Sequence, residues 1–135
     1  MQYIIMFLIV LGMALVDFVT GIIKGIVKDG KPDSRKMRIG GLHKLSELIV
    51  MGTAIGLKIG LEQLSAYHVE DPHLVVIACT FTVGSVFGYI LLMETISILE
   101  NYSEINPDTE WAKKYLKTLK KYETEGEENG KETDS

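Results

Sequence analysis

The sequence predicts an all-α integral membrane protein with three transmembrane helices, a C-terminal amphipathic helix and a disordered acidic tail. Charged residues make up 24% of the 135 residues, yet the mean hydropathy is +0.18, so the apolar residues must be concentrated in blocks with the charges between them. Two blocks of about twenty residues carry almost no charge, which is long enough for a helix to cross a hydrocarbon core of about 30 Å. Lysine and arginine lie in the segments that a three-span topology places on one side of the membrane.

The first transmembrane helix is predicted within residues 1–27. Residues 3–23 carry one charged side chain, Asp17. They have no basic segment before them and no Ala-x-Ala cleavage site after them, so we expect a retained helix rather than a signal peptide. An ionised carboxylate in lipid needs a partner, and Lys24 or Lys44 is the expected one. A structural salt bridge and a role in proton relay or gating both remain open for Asp17.

The basic loop at residues 28–41 and the segments that follow it determine the predicted topology. Residues 42–64 are long enough to span a membrane but contain four charged side chains, so an interfacial or re-entrant helix is the alternative. If this segment spans, the basic loop and the lysines after residue 93 both face the cytoplasm, and the acidic loop at residues 65–73 faces outward. We therefore predict the N-terminus outside, the C-terminus inside and residues 74–93 as the third transmembrane helix.

Polar side chains form a stripe on one face of the second predicted span. At 100° per residue the stripe contains Lys44, Glu47, Lys58 and Glu62, and the last two are four residues apart, close enough to pair. In one interpretation the outer members lie at the two membrane interfaces and the inner ones snorkel. In the other, the stripe faces polar groups in an oligomer and becomes wet when that oligomer opens.

Glycines recur at intervals of four residues in all three predicted spans. Small residues let membrane helices approach closely, where lipid offers little hydrophobic drive for association. The pattern predicts close helix packing, within one chain or between chains, through Gly21, Gly25, Gly52, Gly56, Gly60, Gly84 and Gly88.

The segment at residues 94–122 is predicted to be cytoplasmic and to contain a basic amphipathic helix that starts near Asn106 and Pro107. Trp111 and Tyr115 share an apolar stripe bordered by lysines, a pattern typical of a helix on an anionic membrane surface. Packing on a neighbouring subunit is the alternative. Residues 123–135 lack apolar side chains and are predicted to be disordered.

No pattern in the sequence predicts catalytic residues, a metal site or a cofactor. His68 and His73 flank acidic residues without the spacing of a ligand pair, and Cys79 has neither a base nor a cationic neighbour in sequence. An isoelectric point near 5.4 argues against nucleic acid as a partner. We therefore expect a non-enzymatic protein.

Three motifs resemble the phage holin and toxin-secretion holin family of Gram-positive bacteria and their phages. One lies at the end of the first span, one at the start of the second and one directly after the third. Their residues are Asp17, Gly21 and Lys24; Gly40, Gly41 and Lys44; and Glu94, Ser97, Glu100 and Asn101. The resemblance covers roughly residues 10 to 120.

The resemblance implies a multi-pass protein of the host cytoplasmic membrane that forms homo-oligomers among membrane lipids and permeabilises the membrane. An endolysin, or in some relatives a toxin, then leaves the cell during lysis or secretion, and we expect no direct contact with the endolysin. Two alternatives remain open. One is a non-permeabilising membrane adaptor or antiholin, and the other is a small-solute or ion channel.

Overall fold

Four α-helices make up the part of the chain that the structure describes. The computed structural model describes the backbone of residues 2–68 and 72–132 and the side chains of residues 2–64 and 73–121. The helices are α1 (Gln2–Asp29), α2 (Ser34–His68), α3 (Pro72–Ile105) and α4 (Glu110–Glu132). The all-α fold class is confirmed for these residues.

A short turn joins α1 to α2. Gly30 has a φ of +72° and its N–H donates to the carbonyl of Ile26 at 3.0 Å, so it ends α1 as a left-handed capping residue. Asp33 then caps α2, because its Oδ1 accepts hydrogen bonds from the backbone N–H of Arg35 at 2.8 Å and of Lys36 at 3.3 Å. The turn is therefore only four residues long, and the chain reverses direction within it.

Side-chain contacts show that α2 runs antiparallel to both α1 and α3. Phe18 packs over Gly41, and Phe7 packs over Gly52. The later residue of α1 therefore contacts the earlier residue of α2. Between α2 and α3 the same reversal holds. Lys44 contacts Glu94 there, and Lys58 contacts Thr80. The three long helices thus form an up-down-up bundle.

The bundle has a small apolar core and a large apolar exterior. The core consists of Val10, Met51, Ala54, Val83 and Ile90. Most of the apolar side chains of the three long helices point outward instead. Two helices, Gln2–Asp29 and His73–Ile105, are long and apolar enough among the described residues to cross a membrane, and only 17% and 11% of their most apolar windows are buried. A core helix of a soluble protein would be mostly buried, so this exterior suits lipid.

Two helix boundaries differ from the sequence prediction. α2 begins at Ser34, so most of the segment predicted as a basic loop at residues 28–41 is helical, and Asp33 supplies the cap that allows this. The predicted start of α4 at Asn106 and Pro107 is wrong. Asn106 still donates to the carbonyl of Tyr102 at the end of α3, and Thr109 N–H closes a turn onto the carbonyl of Asn106 at 3.2 Å, so α4 starts at Glu110.

The two acidic segments also differ in extent from the prediction. α4 continues to Glu132, through most of the segment at residues 123–135 that the sequence predicts to be disordered, and its glutamate and lysine content favours helix. α2 continues to His68 and α3 starts at Pro72, within the predicted loop at residues 65–73. Residues 69–71 lie outside the described part of the chain.

Candidate functional site

The candidate site is a buried ionic cluster where the three long helices meet. Lys44 of α2 lies at its centre, with its Nζ 2.9 Å from Asp17 Oδ2 on α1 and 2.8 Å from Glu94 Oε2 on α3. The Glu94 side chain is 0% exposed, that of Asp17 9% and that of Lys44 19%. One cation therefore joins two carboxylates from two different helices in a region with little water, where charge pairing is strong and an unpaired charge is costly.

Asn101 completes the cluster from α3. Its Nδ2 donates to Asp17 Oδ1 at 3.0 Å and lies 3.3 Å from Thr20 Oγ1. Gly21 lies beside this contact, and a Cβ there would lie 3.7 Å from the Asn101 amide, an ordinary van der Waals distance. Glu94 and Asn101 are seven residues apart, which places them two helical turns apart on one face of α3. The first and third sequence motifs thus meet at Asp17.

A second polar layer is centred on Lys58 of α2, which is 3% exposed. Its Nζ lies 3.0 Å from Glu62 Oε1, donates to Thr80 Oγ1 at 2.6 Å and sits 5.4 Å from the ring centroid of Tyr3. The predicted pairing of Lys58 with Glu62 is confirmed. The two lysines of the polar stripe on α2 therefore face α1 and α3 within the single chain.

The two polar layers are equally spaced on all three helices. Fourteen residues separate Tyr3 from Asp17 on α1, Lys44 from Lys58 on α2, and Thr80 from Glu94 on α3. At 1.5 Å per residue this interval is about 21 Å. The apolar core lies between the layers, so the bundle consists of an apolar slab bounded by two charged planes.

A third ionic group lies beyond the first layer, near the α1–α2 turn. Lys24 lies 2.8 Å from Glu104 Oε1 and Lys28 lies 2.5 Å from Glu104 Oε2. Hydrogen bonds from Lys24 and Lys28 lower the pKa of Glu104, which follows the third predicted span, to about 2. Lys24, one of the two expected partners of Asp17, is therefore engaged elsewhere, and Lys44 is the partner that Asp17 has.

The seven glycines of the predicted packing faces fall into two groups. Three are close to other parts of the chain: a Cβ at Gly21 would meet Asn101, one at Gly25 would meet Pro32, and one at Gly52 would meet Phe7. The other four have nothing within 4 Å of an added Cβ, and they are Gly56, Gly60, Gly84 and Gly88. Four of the seven predicted packing glycines, two on α2 and two on α3, are thus open in the single chain.

The chain is similar to a known protein family along most of its length. The model of the bacteriophage holin family matches residues 1–121, which is most of the chain. The chain belongs to the bacteriophage holin family. Holins of this kind are non-enzymatic membrane proteins with a role in membrane permeabilisation. No curated protein and no solved structure matches the chain.

The other motif residues of this holin have separate surroundings. Glu100 pairs with Lys120 of α4, and Gly41 packs against Phe18, whereas a Cβ at Gly40 would meet nothing within 4 Å. Ser97 is half-buried on α3. Motif residues therefore take part in four contacts: the ionic cluster, the pairing of Lys24 with Glu104, the α1–α2 packing and the attachment of α4.

Sequence reasoning missed three polar residues of this holin that the structure brings into contact with the lysines. Glu104 forms ion pairs with Lys24 and Lys28 at the end of α1. Lys58 donates a hydrogen bond to Thr80 and lies over the ring of Tyr3. A signal for Glu104 exists, because it lies three residues after Asn101 on the same helical face. Thr80 and Tyr3 are uncharged, and polarity alone does not distinguish them from other residues of a membrane helix.

Proposed function

We propose that this protein is a lysis holin that oligomerises in the cytoplasmic membrane and opens a hole through which an endolysin or a toxin leaves the cell. The observation that carries the proposal is the contrast between two faces of α2. The two lysines of the charged stripe contact α1 and α3, and Glu47 and Glu62 are half-buried beside them, whereas Gly56 and Gly60 are open. Chains can associate through the open glycine faces of α2 and α3 while the stripe stays hidden.

Opening then requires the stripe to exchange its partners within the chain for water. Once α2 of each chain separates from α1 and α3, its polar stripe would line or border the lumen. The stripe consists of Lys44, Glu47, Lys58 and Glu62. A lumen shared by several chains supplies that water, whereas a single chain in lipid would expose the same charges to hydrocarbon at a cost of a few kcal/mol per residue. Oligomerisation therefore precedes opening in this mechanism.

Three spans with the N-terminus outside and the C-terminus inside are part of the proposal. The up-down-up arrangement supports it, because α2 packs alongside the two most apolar helices over the full interval between the polar layers. The contact of Lys28 with Glu104 places the α1–α2 turn beside the end of α3. Both lysine-rich segments are then at the same end of the bundle, as the positive-inside rule favours.

α4 is proposed to lie on the anionic inner surface of the membrane. Trp111 and Tyr115 are exposed, and Trp111 packs against Tyr102 with ring centroids 5.7 Å apart. Aromatic rings bordered by lysines favour the interface between headgroups and acyl chains. Deleting residues 107–135 distinguishes the adaptor alternative, which should lose its activity, from the holin, which should still form lesions at an altered time.

The test is inducible expression in bacteria with a cytosolic reporter enzyme. We expect an abrupt loss of membrane potential together with release of the reporter. Loss of potential without reporter release would indicate a small-solute or ion channel instead. Continued growth with verified insertion of the protein into the membrane would contradict the proposal.

The glycine faces allow a matched pair of variants. Replacing Gly56 and Gly84 with leucine should abolish oligomers trapped by chemical cross-linking in membranes and should delay reporter release, because the larger side chains keep helices of different chains apart. Gly12→Leu is the control, since Gly12 also has nothing within 4 Å of an added Cβ but belongs to no glycine pair at intervals of four. Equal cross-linking and release in both variants would refute the role of the glycine faces.

A further inference from the structure

The ionic cluster contains more carboxyl groups than cations. Asp17, Glu47 and Glu94 face a single ammonium group, that of Lys44. If all three carboxyls were ionised, the cluster would carry a net charge of −2 in a region where Glu94 is fully buried. Removing such an excess of charge from water is expensive, and proteins avoid it by binding a proton or another cation.

Two oxygen atoms of the cluster lack hydrogen-bond partners. They are Glu94 Oε1 and Glu47 Oε2, and both are buried. Lys44 does not satisfy the second, because its Nζ is 3.6 Å from Glu47 Oε2, beyond hydrogen-bonding distance. The carboxyl groups of Glu47 and Glu94 are neighbours around one ammonium group, since their Oε2 atoms lie 3.6 Å and 2.8 Å from Lys44 Nζ. Ionised carboxylates only accept hydrogen bonds, so these two groups repel each other unless one of them carries a proton.

We propose that Glu47 and Glu94 share one proton and that the cluster is a buried proton-binding site of the closed holin. A single proton turns one carboxyl into a donor, and one O–H···O hydrogen bond then satisfies both unpartnered oxygens. Both oxygens of Asp17 already have donors, Lys44 and Asn101. The other groups that face the pair are thus Asp17 from α1, Lys44 from α2 and Asn101 from α3.

A cavity connects this cluster to one end of the bundle. It has a volume of about 580 Å³ and extends from Asp17 and Lys44 to Asp29 and Lys36 beside the α1–α2 turn. Toward the other end, the apolar core around Val10 separates the cluster from the layer of Lys58. The cavity thus reaches Lys44, the shared neighbour of Glu47 and Glu94, from the side of the α1–α2 turn, and the proton of the proposed site exchanges with the solution by this route.

The bound proton couples pH to opening. In the closed chain the proton is held between two buried carboxyls, whereas in an opened, water-lined form both carboxyls ionise and the proton is released. By linkage, a low pH on the side of the turn favours the closed form and a rising pH favours opening. This consequence rests on the proposed permeabilising function, but the proton site itself does not.

Infrared spectroscopy of the full-length protein in lipid bilayers tests the site directly. With glutamate labelled in its side-chain carboxyl by ¹³C, we expect an isotope-sensitive band of a protonated carboxyl near neutral pH. Glu94→Gln and Glu47→Gln should each remove it, and each keeps the packing because the glutamine amide supplies the missing donor. Glu110→Gln, at an exposed position of α4, should leave the band unchanged. Absence of the band in the wild-type protein, or its persistence in both cluster variants, would overturn the proposal.

Vesicles with the pH clamped separately on each side test the coupling. We expect release of an entrapped dye to rise with the pH on the side of the turn, by up to about tenfold per pH unit for each proton released. Glu47→Gln should abolish this dependence, and Glu110→Gln should retain it. The same pH dependence in Glu47→Gln as in the wild type would overturn the coupling. Vesicles that never leak would count against the proposed function, while the infrared band would still decide the proton site.

Discussion

Replacing Lys44 with methionine should destabilise the three-helix bundle by about 3–4 kcal/mol at pH 7. Methionine keeps an unbranched side chain, one atom shorter than that of lysine, but removes the cation that lies within 3 Å of both Asp17 and Glu94. Removing one partner of a buried ion pair costs about 3–5 kcal/mol. Protonation limits the loss, because binding a proton to a carboxyl of ordinary pKa, about 3.9, costs about 4 kcal/mol at pH 7. At pH 5 the same protonation costs about 1.5 kcal/mol, so the destabilisation by Lys44→Met should be limited to about that value.

The assay is unfolding in detergent micelles by a denaturing detergent, followed by circular dichroism at both pH values. Lys36→Met is the matched control, because Lys36 is an exposed lysine of the same helix outside the cluster, and surface substitutions change stability by about 0.5 kcal/mol or less. A double variant, Asp17→Asn with Lys44→Met, should recover part of the loss. The reasoning is refuted if Lys44→Met unfolds with the wild type, or if its destabilisation is equal at pH 7 and pH 5.

Two further predictions concern the neighbours of the cluster. Asn101→Leu should cost about 1.5–3 kcal/mol in the same unfolding assay, since it removes a hydrogen bond to the charged Asp17; a loss below 0.5 kcal/mol would contradict this. Because Lys24 and Lys28 lower the pKa of Glu104 to about 2, the contribution of that ion-pair group should be constant above about pH 4.5 and be lost as the pH falls toward 2. A ¹³C NMR titration of the Glu104 carboxyl checks the second prediction, and a midpoint at its ordinary value of 4.5 would contradict it.

The pairing of α1 with α2 could be derived from the sequence once the turn was located. Asp17 and Lys44 lie thirteen and fourteen residues from Gly30, and Tyr3 and Lys58 lie twenty-seven and twenty-eight residues from it. In an antiparallel helix pair, residues equally distant from a tight turn lie side by side. Lys44 was accordingly one of the two partners expected for Asp17, whereas Lys24, on the same helix as Asp17, bonds to Glu104 of α3 instead.

The position of Glu94 could not be derived in the same way. It follows directly after the uncharged residues 74–93, so composition marks it as the boundary of a span, where a carboxylate is expected to meet water. Its burial depends on the rotation of α3 about its own axis, which is determined by packing of Ile90 and Ile96 rather than by any local pattern. Residue 69 is the midpoint in sequence between Lys44 and Glu94 and also between Lys58 and Thr80. The two contacts therefore have the same register, but that register can be recognised only when both contacts are known.

The spacing of the polar layers explains why the closed chain can persist in a membrane and why it should open cooperatively. The layers are about 21 Å apart, so in a hydrocarbon core of about 30 Å each lies roughly 5 Å inside its boundary when the bundle is centred. At that depth Lys44 and Lys58 are stable only while Glu94, Asp17 and Glu62 neutralise them, which opposes separation of the helices in one chain. In the proposed assembly, each additional chain adds charged stripes to the same lumen, and water there replaces the lost partners. The barrier to opening per chain should therefore fall as the oligomer grows, so a period of silent accumulation followed by abrupt permeabilisation is the expected time course.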